Sequence, residues 1–259
     1  MKIYGLIGYP LGHSFSRGYF TEKFSRESIT DSTYKNFPLK AVNLLLPLIE
    51  STPSLIGLNI TIPYKEQVIH LLDELSDAAT AIGAVNTIKI TRKDNEIKMK
   101  GFNTDVNGFQ RSLEFFDVEI PSKTLVLGTG GAAKAVKWVL EKYDTNVYFA
   151  TRNPKEGNQL NYSEISESGL DEFKLIINTT PLGMYPSIDT LPELPYDTLH
   201  SGHTLFDLVY NPLETAFMKE GGKRKCKIIN GLHMLEQQAD ESWRIWNEKE
   251  IGKEKGLTA

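Results

Sequence analysis

The sequence predicts an α/β protein of two parts, each a mainly parallel sheet covered by helices. Two observations carry this reading. Short apolar runs alternate with segments of helical period along most of the chain, the pattern of parallel strands joined by helical crossovers. One stretch, Thr124 to Asn153, contains a whole strand–turn–helix–strand unit. A helical tail near the C-terminus is expected to return to the first part.

In order, Lys2 to Gly8 reads as a strand and Ser16 to Glu27 as a helix, with Ser14 or Ser16 as its cap. Ser32 to Phe37 is a strand. Ala41 to Glu50 has helical period, although Pro47 argues for a kink or break. Leu55 to Ile60 is an apolar strand. Tyr64 to Leu72 and Asp77 to Ile82 read as helices, and Ala84 to Ile90 and Glu96 to Gly101 as strands joined by the polar turn Arg92 to Asn95. A helix from Asp105 to about Phe116 follows, and the boundary between the two parts falls around Asn103 to Asp105.

The unit at Thr124 to Asn153 opens with Leu125-Val126-Leu127, an apolar run suited to a buried parallel strand. Gly128-Thr129-Gly130-Gly131 forms a turn. The helix from Ala132 to Tyr143 follows, and Asn146 to Ala150 is the second strand. Such a glycine turn lets the backbone approach a pyrophosphate at the helix N-terminus, as in a Rossmann dinucleotide fold. An NAD site usually places an acidic residue at the end of the second strand. Here the chain reads Ala150-Thr151-Arg152-Asn153-Pro154-Lys155, with two cations and no carboxylate. The planar fork of Arg152 suits a ribose 2′-phosphate, so NADP is expected over NAD. The plainer alternative is a tight turn with a solvated Arg.

Beyond this unit the pattern thins. Lys174 to Asn178, Thr204 to Val209 and Lys227 to Ile229 read as strands, and Pro181 to Leu199, with four prolines, as loop. The tail from Met234 to about Ile251 has helical period, with Leu235, Gln238, Ala239, Trp243 and Trp246 on related faces, and its charged end is expected to fray.

The 259 residues suffice for two modest domains; 40% are hydrophobic and 24% charged, with a net charge of −4. This balance gives no nucleic-acid footprint and no attraction to acidic membranes. The lone Cys226 excludes an intrachain disulfide. Tyr, Gly and Pro interrupt the N-terminus well short of a signal sequence or membrane span. A cytoplasmic monomer or homodimer is expected. His200-x-x-His203 has no adjacent third ligand in the sequence, so no metal site is expected.

Polar clusters gather at strand ends. Ser14 and Ser16, in GYPLGHSFS, could bind a carboxylate, although an N-cap explains one of them. In NITIPYK, Pro63 starts a helix that carries Lys65 in its first turn. That position faces the positive end of the dipole, which hints at a role, while a solvated lysine is the bland reading. Asp105, in GFNTD, is either a functional acid or a helix cap. Further clusters are Gly83 to Thr87, Asp207 to Pro212 and Gly231 to Gln238.

Taken in order, GYPLGHSFS, NITIPYK, GAVNT, GFNTD, GTGGAA, NTTPLGM, DLVYNPLETAF and GLHMLEQQA resemble the motifs of the shikimate dehydrogenase family over nearly the whole chain. The resemblance implies NADPH-dependent reduction of 3-dehydroshikimate to shikimate, on the route to chorismate and the aromatic amino acids. It implies a substrate domain from 1 to 103, completed by 231–259, and a Rossmann domain from 104 to 230. Lys65 and Asp105 match the catalytic pair. Ser14 and Ser16 match holders of the substrate carboxylate, and Asn59, Thr61, Asn86, Tyr210 and Gln238 match further substrate positions. Gly128, Thr129, Gly130, Gly131, Ala132, Thr151, Arg152, Asn153, Leu208 and Gly231 match cofactor contacts, and Asp77 a position near the nicotinamide. No metal is implied, because the cofactor carries the hard step.

Two departures stand out. Arg17-Gly18-Tyr19-Phe20 follows the second serine where the family usually has Pro and then His-Asn. Lys155 and Glu156 stand near the place of a second Arg, so NADP preference rests mainly on Arg152. A quinate/shikimate dehydrogenase with relaxed substrate or cofactor choice, and a non-catalytic NADP-binding sensor, are the alternatives.

Overall fold

The computed structural model describes residues 1–11, 15–94, 96–155 and 157–248. The first half runs β1 (Lys2–Gly8), α1 (Phe15–Arg26), β2 (Ser32–Pro38), α2 (Leu45–Ser51), β3 (Leu55–Ile60), β4 (Glu74–Leu75), α3 (Asp77–Ile82), β5 (Thr87–Lys93), β6 (Glu96–Phe102) and α4 (Asp105–Phe115). The second runs β7 (Lys123–Leu127), α5 (Gly131–Leu140), β8 (Asn146–Ala150), β9 (Gln159–Leu160), α6 (Tyr162–Ser168), β10 (Leu175–Asn178), β11 (Thr204–Asp207), α7 (Ala216–Lys223), β12 (Lys227–Ile229) and α8 (Leu232–Asn247).

The strands form two sheets of six, ordered β2-β1-β3-β5-β6-β4 and β12-β11-β10-β7-β8-β9. Every neighbouring pair in the second sheet is parallel. The first is mixed: β1 lies parallel to β2 and β3, and β4 to β6, while β5 runs antiparallel to β3 and β6. The reversal follows from chain length, because the short turn between β5 and β6 can join only antiparallel strands.

Both sheets are buried on two faces. On β1, Tyr4 and Leu6 pack with Phe20, Phe24, Tyr34 and Trp246, whereas Ile7 points the other way, to Leu58, Ile88 and Val68. This is the period of two of a strand. In the second sheet Leu125 and Leu127 face one core, and Val126 the other, beside Val136 and Phe109. Helix α8 returns to the first sheet as expected. Its Ala239, Ile245 and Trp246 join the β1–α1 cluster, and the Trp246 indole N–H donates to the Ile88 carbonyl at 2.9 Å.

Two predicted helices are altered. Residues 64–72 give only a 3-10 turn, Gln67–Leu71. The Lys65 carbonyl, which an α-helix would offer to Ile69, instead accepts from Val85 N–H at 2.7 Å, and Ile69 N–H turns to Glu66 O. The stretch from Ala41 divides into a 3-10 turn, Val42–Leu44, and α2. The break precedes Pro47, which sits in the first turn of α2, where its missing N–H costs nothing. The strand expected from Ala84 starts only at Thr87, since Ala84 to Asn86 form the exit from α3. Helices α6 and α7 and strands β4 and β9 were not expected. Expectations for Asn95, Glu156 and residues 249–259 lie outside the described residues. Among those described, no helix is long and apolar enough to cross a membrane.

Candidate active site

The ends of β1 and β3 open into a cleft of about 540 Å³, within the range of small-ligand sites. It brings together Ser16, Asn59, Thr61, Lys65, Asn86, Asp105, Tyr210 and Gln238, drawn from both halves of the chain. Ser14 lies outside the described residues. A depression of about 440 Å³ on the β5–β6 hairpin is walled by solvated lysines and carboxylates and gathers none of the predicted residues.

Lys65 lies in the link between β3 and the following 3-10 turn, so it is not in a helical first turn and the dipole argument does not apply to it. Its Nζ is 2.8 Å from Asp105 Oδ2, with the two side chains 32% and 15% exposed. Asp105 is the first residue of α4, and the cap position is Thr104. The other Asp105 oxygen accepts from Asn86 Nδ2 at 2.8 Å. Both carboxylate oxygens are thus directed to cleft residues rather than to the helix end, against the capping alternative.

Behind the pair lies a buried polar layer. Asn86 Oδ1 accepts from Thr104 N–H at 2.8 Å, and the Thr104 and Thr87 hydroxyls each stand 3.2 Å from it. These donors fix its oxygen and so turn its amide hydrogens toward Asp105. Asn59 is 5% exposed; its oxygen accepts from Tyr34, and its amide donates to Thr87 and Ser242. Gln238 on α8 donates to Leu235 O at 2.9 Å and turns its oxygen toward the Thr104 hydroxyl. Ser16 is the second residue of α1, inside the helix rather than its cap. Tyr210 meets Phe15 edge-on at 5.6 Å, joining the second half to α1, and burial raises its phenol above the ordinary value.

The glycine turn leads from β7 into α5. Gly128 has φ +99°, which disfavours any side chain, and an added Cβ would press on Thr179 and Thr180 at 3.1 Å. Gly130 caps α5 without a side-chain bond, and the space where its Cβ would lie is open. The first-turn N–H groups are therefore available to an anion. Thr129 is exposed, Gly131 and Ala132 are half-buried, and Ala133 is buried against the sheet. Thr151 follows β8, with Arg152 and Asn153 exposed beside it. The residues fit a phosphorylated dinucleotide: uncapped amides for its pyrophosphate and a guanidinium at the β8 exit.

Leu208 and Gly231 are brought together. A Cβ on Gly231 would collide with the Leu208 carbonyl oxygen, so the close approach requires glycine. Beneath this turn Asp207 is fully buried and accepts from Asn178, Val209 N–H and Thr215. Burial pushes its carboxyl up to about 6, although the three hydrogen bonds oppose the rise. Asp77 starts α3, exposed, and is not among the residues lining the cleft.

Sequence reasoning missed several groups. Met184 lines the cleft, and its signal was the NTTPLGM motif that contains it. Tyr34 and Ser242 carried no local signal, because their partners are remote in the chain. The premise that His200 and His203 lack a third ligand holds only along the sequence: the fold brings Asp171 to within 4.8 Å of them. Both His203 ring nitrogens already face backbone partners, Leu170 O and the His200 main chain, which accounts for that cluster without an ion.

A glycine turn on an uncapped helix, a basic exit from β8 and a Lys–Asp pair across a shared cleft define a dinucleotide-dependent oxidoreductase of the α/β class. The family model for the shikimate dehydrogenase substrate binding domain matches residues 6–88. The shikimate dehydrogenase (NADP(+)) of Clostridium beijerinckii is 40% identical over 264 residues, covering 97% of this chain and 94% of that one. Among solved structures, a chorismate mutase/shikimate 5-dehydrogenase fusion protein from Clostridium acetobutylicum is 38% identical with TM-score 0.85, covering 97% of this chain and 93% of that one. Shikimate 5-dehydrogenase from Thermus thermophilus, in complex with NADP(H) and shikimate, is 28% identical with TM-score 0.83, covering 95% and 94%. The chain belongs to the shikimate dehydrogenase family.

Proposed function

We propose that this chain catalyses the reversible NADPH-dependent reduction of 3-dehydroshikimate to shikimate, a step toward chorismate and the aromatic amino acids, in the cytoplasm. The observation that carries the reading is the Lys65–Asp105 pair, 2.8 Å apart, in the same cleft as the substrate-type amides and hydroxyls. Residues 1–103 form the substrate domain, completed by the segment from 231, of which 249–259 lie outside the described residues, and 104–230 form the cofactor domain.

Ser16, with Ser14, holds the substrate carboxylate. Thr61, Asn86, Tyr210 and Gln238 bind its hydroxyls and ring edge. Asn59, whose amide is already committed to Thr87 and Ser242, shapes the pocket floor. Gly128 to Ala132 and the start of α5 receive the pyrophosphate, Thr151, Arg152 and Asn153 the 2′-phosphate end, and Leu208 and Gly231 the nicotinamide side. Bound there, NADPH supplies the hydride. Lys65 donates a proton to the oxygen of the ring carbonyl, and its positive charge offsets the developing alkoxide. Asp105 aims the ammonium and is itself held by Asn86.

The test is the rate of NADP⁺ reduction with shikimate, followed by absorbance of the reduced nicotinamide, alongside quinate and NAD⁺. Turnover is expected chiefly with shikimate and NADP⁺. Preference for quinate or NAD⁺ would contradict the roles given to the Ser16 end or Arg152. NADPH binding without turnover would make the chain a sensor.

A further inference from the structure

Tyr34 does not line the cleft, yet the cleft's polar layer runs through it. It lies on β2, the edge strand of the first sheet, 5% exposed, its ring stacked on Phe20 of α1 at 4.6 Å and 14°. Its hydroxyl donates to Asn59 Oδ1 at 2.8 Å.

The proton count gives this bond a direction. With its oxygen engaged by Tyr34, Asn59 must point its amide hydrogens at Thr87 Oγ1, 3.1 Å away, and Ser242 Oγ, 3.0 Å away. Ser242 donates to Gln238 O at 2.9 Å. Thr87 accepts from Asn59 and keeps its own hydrogen for Asn86 Oδ1 or Ser242. Asn86 in turn presents its amide to Asp105, and Asp105 holds Lys65. Without the Tyr34 hydroxyl, Asn59 Oδ1 is either left unpaired in the interior or turned toward Thr87 and Ser242. A turned amide would draw the Thr87 hydrogen away from Asn86. An unpaired buried acceptor and a misdirected network are both costly.

We propose that Tyr34 is a positioning residue: its hydroxyl sets the direction of a buried hydrogen-bond chain from Asn59, through Thr87, to Asn86, and so acts with the Thr104 N–H in aiming Asn86 at the Asp105–Lys65 pair. A phenol on the edge strand thereby acts on the pair without itself lining the cleft. This rests on reading the cleft as the shikimate site.

The test uses the full chain with Tyr34→Phe, which removes one oxygen and keeps the stacked ring, and Thr87→Val, which cuts the same chain further along. Each variant should lower kcat for shikimate oxidation by about tenfold or more, leave the NADPH Kd unchanged and retain cooperative unfolding. The double variant should be no worse than the poorer single, because both act on one chain. Unchanged kcat in either folded variant, a loss confined to KM, or losses that multiply in the double variant would overturn the proposal. The wild-type control separates the two claims: no shikimate turnover there would refute the functional reading, and the positioning role with it.

Discussion

The two halves of the site have walls built on opposite plans. The wall on the first sheet, behind the cleft, is made of side chains: Asn59, Asn86, Thr87, Thr104 and Ser242 are all buried and bonded to one another, and they hold the Lys65–Asp105 pair. The wall on the second sheet, outside the residues that line that cleft, is mostly backbone: a glycine turn, an uncapped helix end and an exposed Arg152. The difference follows from the ligands. A ring of hydroxyls must be met by donors and acceptors fixed in advance, since reorganising them would cost rate. Phosphates are met by amides and charge that need little side-chain scaffolding.

The largest effect should come from breaking the first wall at Lys65, the proposed proton donor. Lys65→Ala is expected to lower kcat about 10²–10⁴-fold, with shikimate Kd altered only a few-fold; steady-state rates and calorimetric titration separate the two. Equal loss of binding and rate would make Lys65 a binding residue instead.

The second wall has one buried anchor, Asp207, and its titration sharpens the contrast. Its folded pKa of about 6 lies above the ordinary carboxyl value, so between about pH 4 and 6 the folded protein keeps a proton that the unfolded chain has released. Stability from this group therefore falls as pH rises through that window. Above it the ionised carboxylate costs on the order of 2–3 kcal/mol relative to the unfolded chain. The stability difference between Asp207→Asn and wild type, from urea unfolding, should shift in the variant's favour over this range. Taking the difference cancels carboxylates such as Glu220 and Glu241, whose lowered values act in the opposite sense.

Arg152→Ala should weaken NADPH binding by about tenfold, the scale of a charge-assisted bond, and leave NADH binding unchanged. Fluorescence titration with both cofactors checks this. Equal weakening of both would place Arg152 away from the 2′-phosphate.

The same contrast explains what the sequence could reveal. The backbone wall was legible because its signals are local: an apolar run, glycines at fixed spacing, and Arg152 where a carboxylate would otherwise stand. Lys65 and Asp105 were legible through motif resemblance, but the dipole reason offered for Lys65 failed, because a bond from Val85 to the Lys65 carbonyl ends the helix that reason assumed. Helix α6 carries a local signal too, since Asn161 and Glu164 form a capping box. Tyr34 and Ser242 were not readable: Tyr34 is 25 residues from Asn59, and Ser242 is 183 from it, so only the fold brings them together.

The most direct test is a crystal structure with shikimate and NADP⁺ bound. The account predicts the shikimate carboxylate at Ser16, the reacting hydroxyl within hydrogen-bond reach of Lys65 Nζ, and the Tyr34–Asn59–Thr87–Asn86 side chains where they stand now. A ligand bound in the reverse sense, or amides of Asn59 and Asn86 turned to meet it, would contradict a wall assembled in advance.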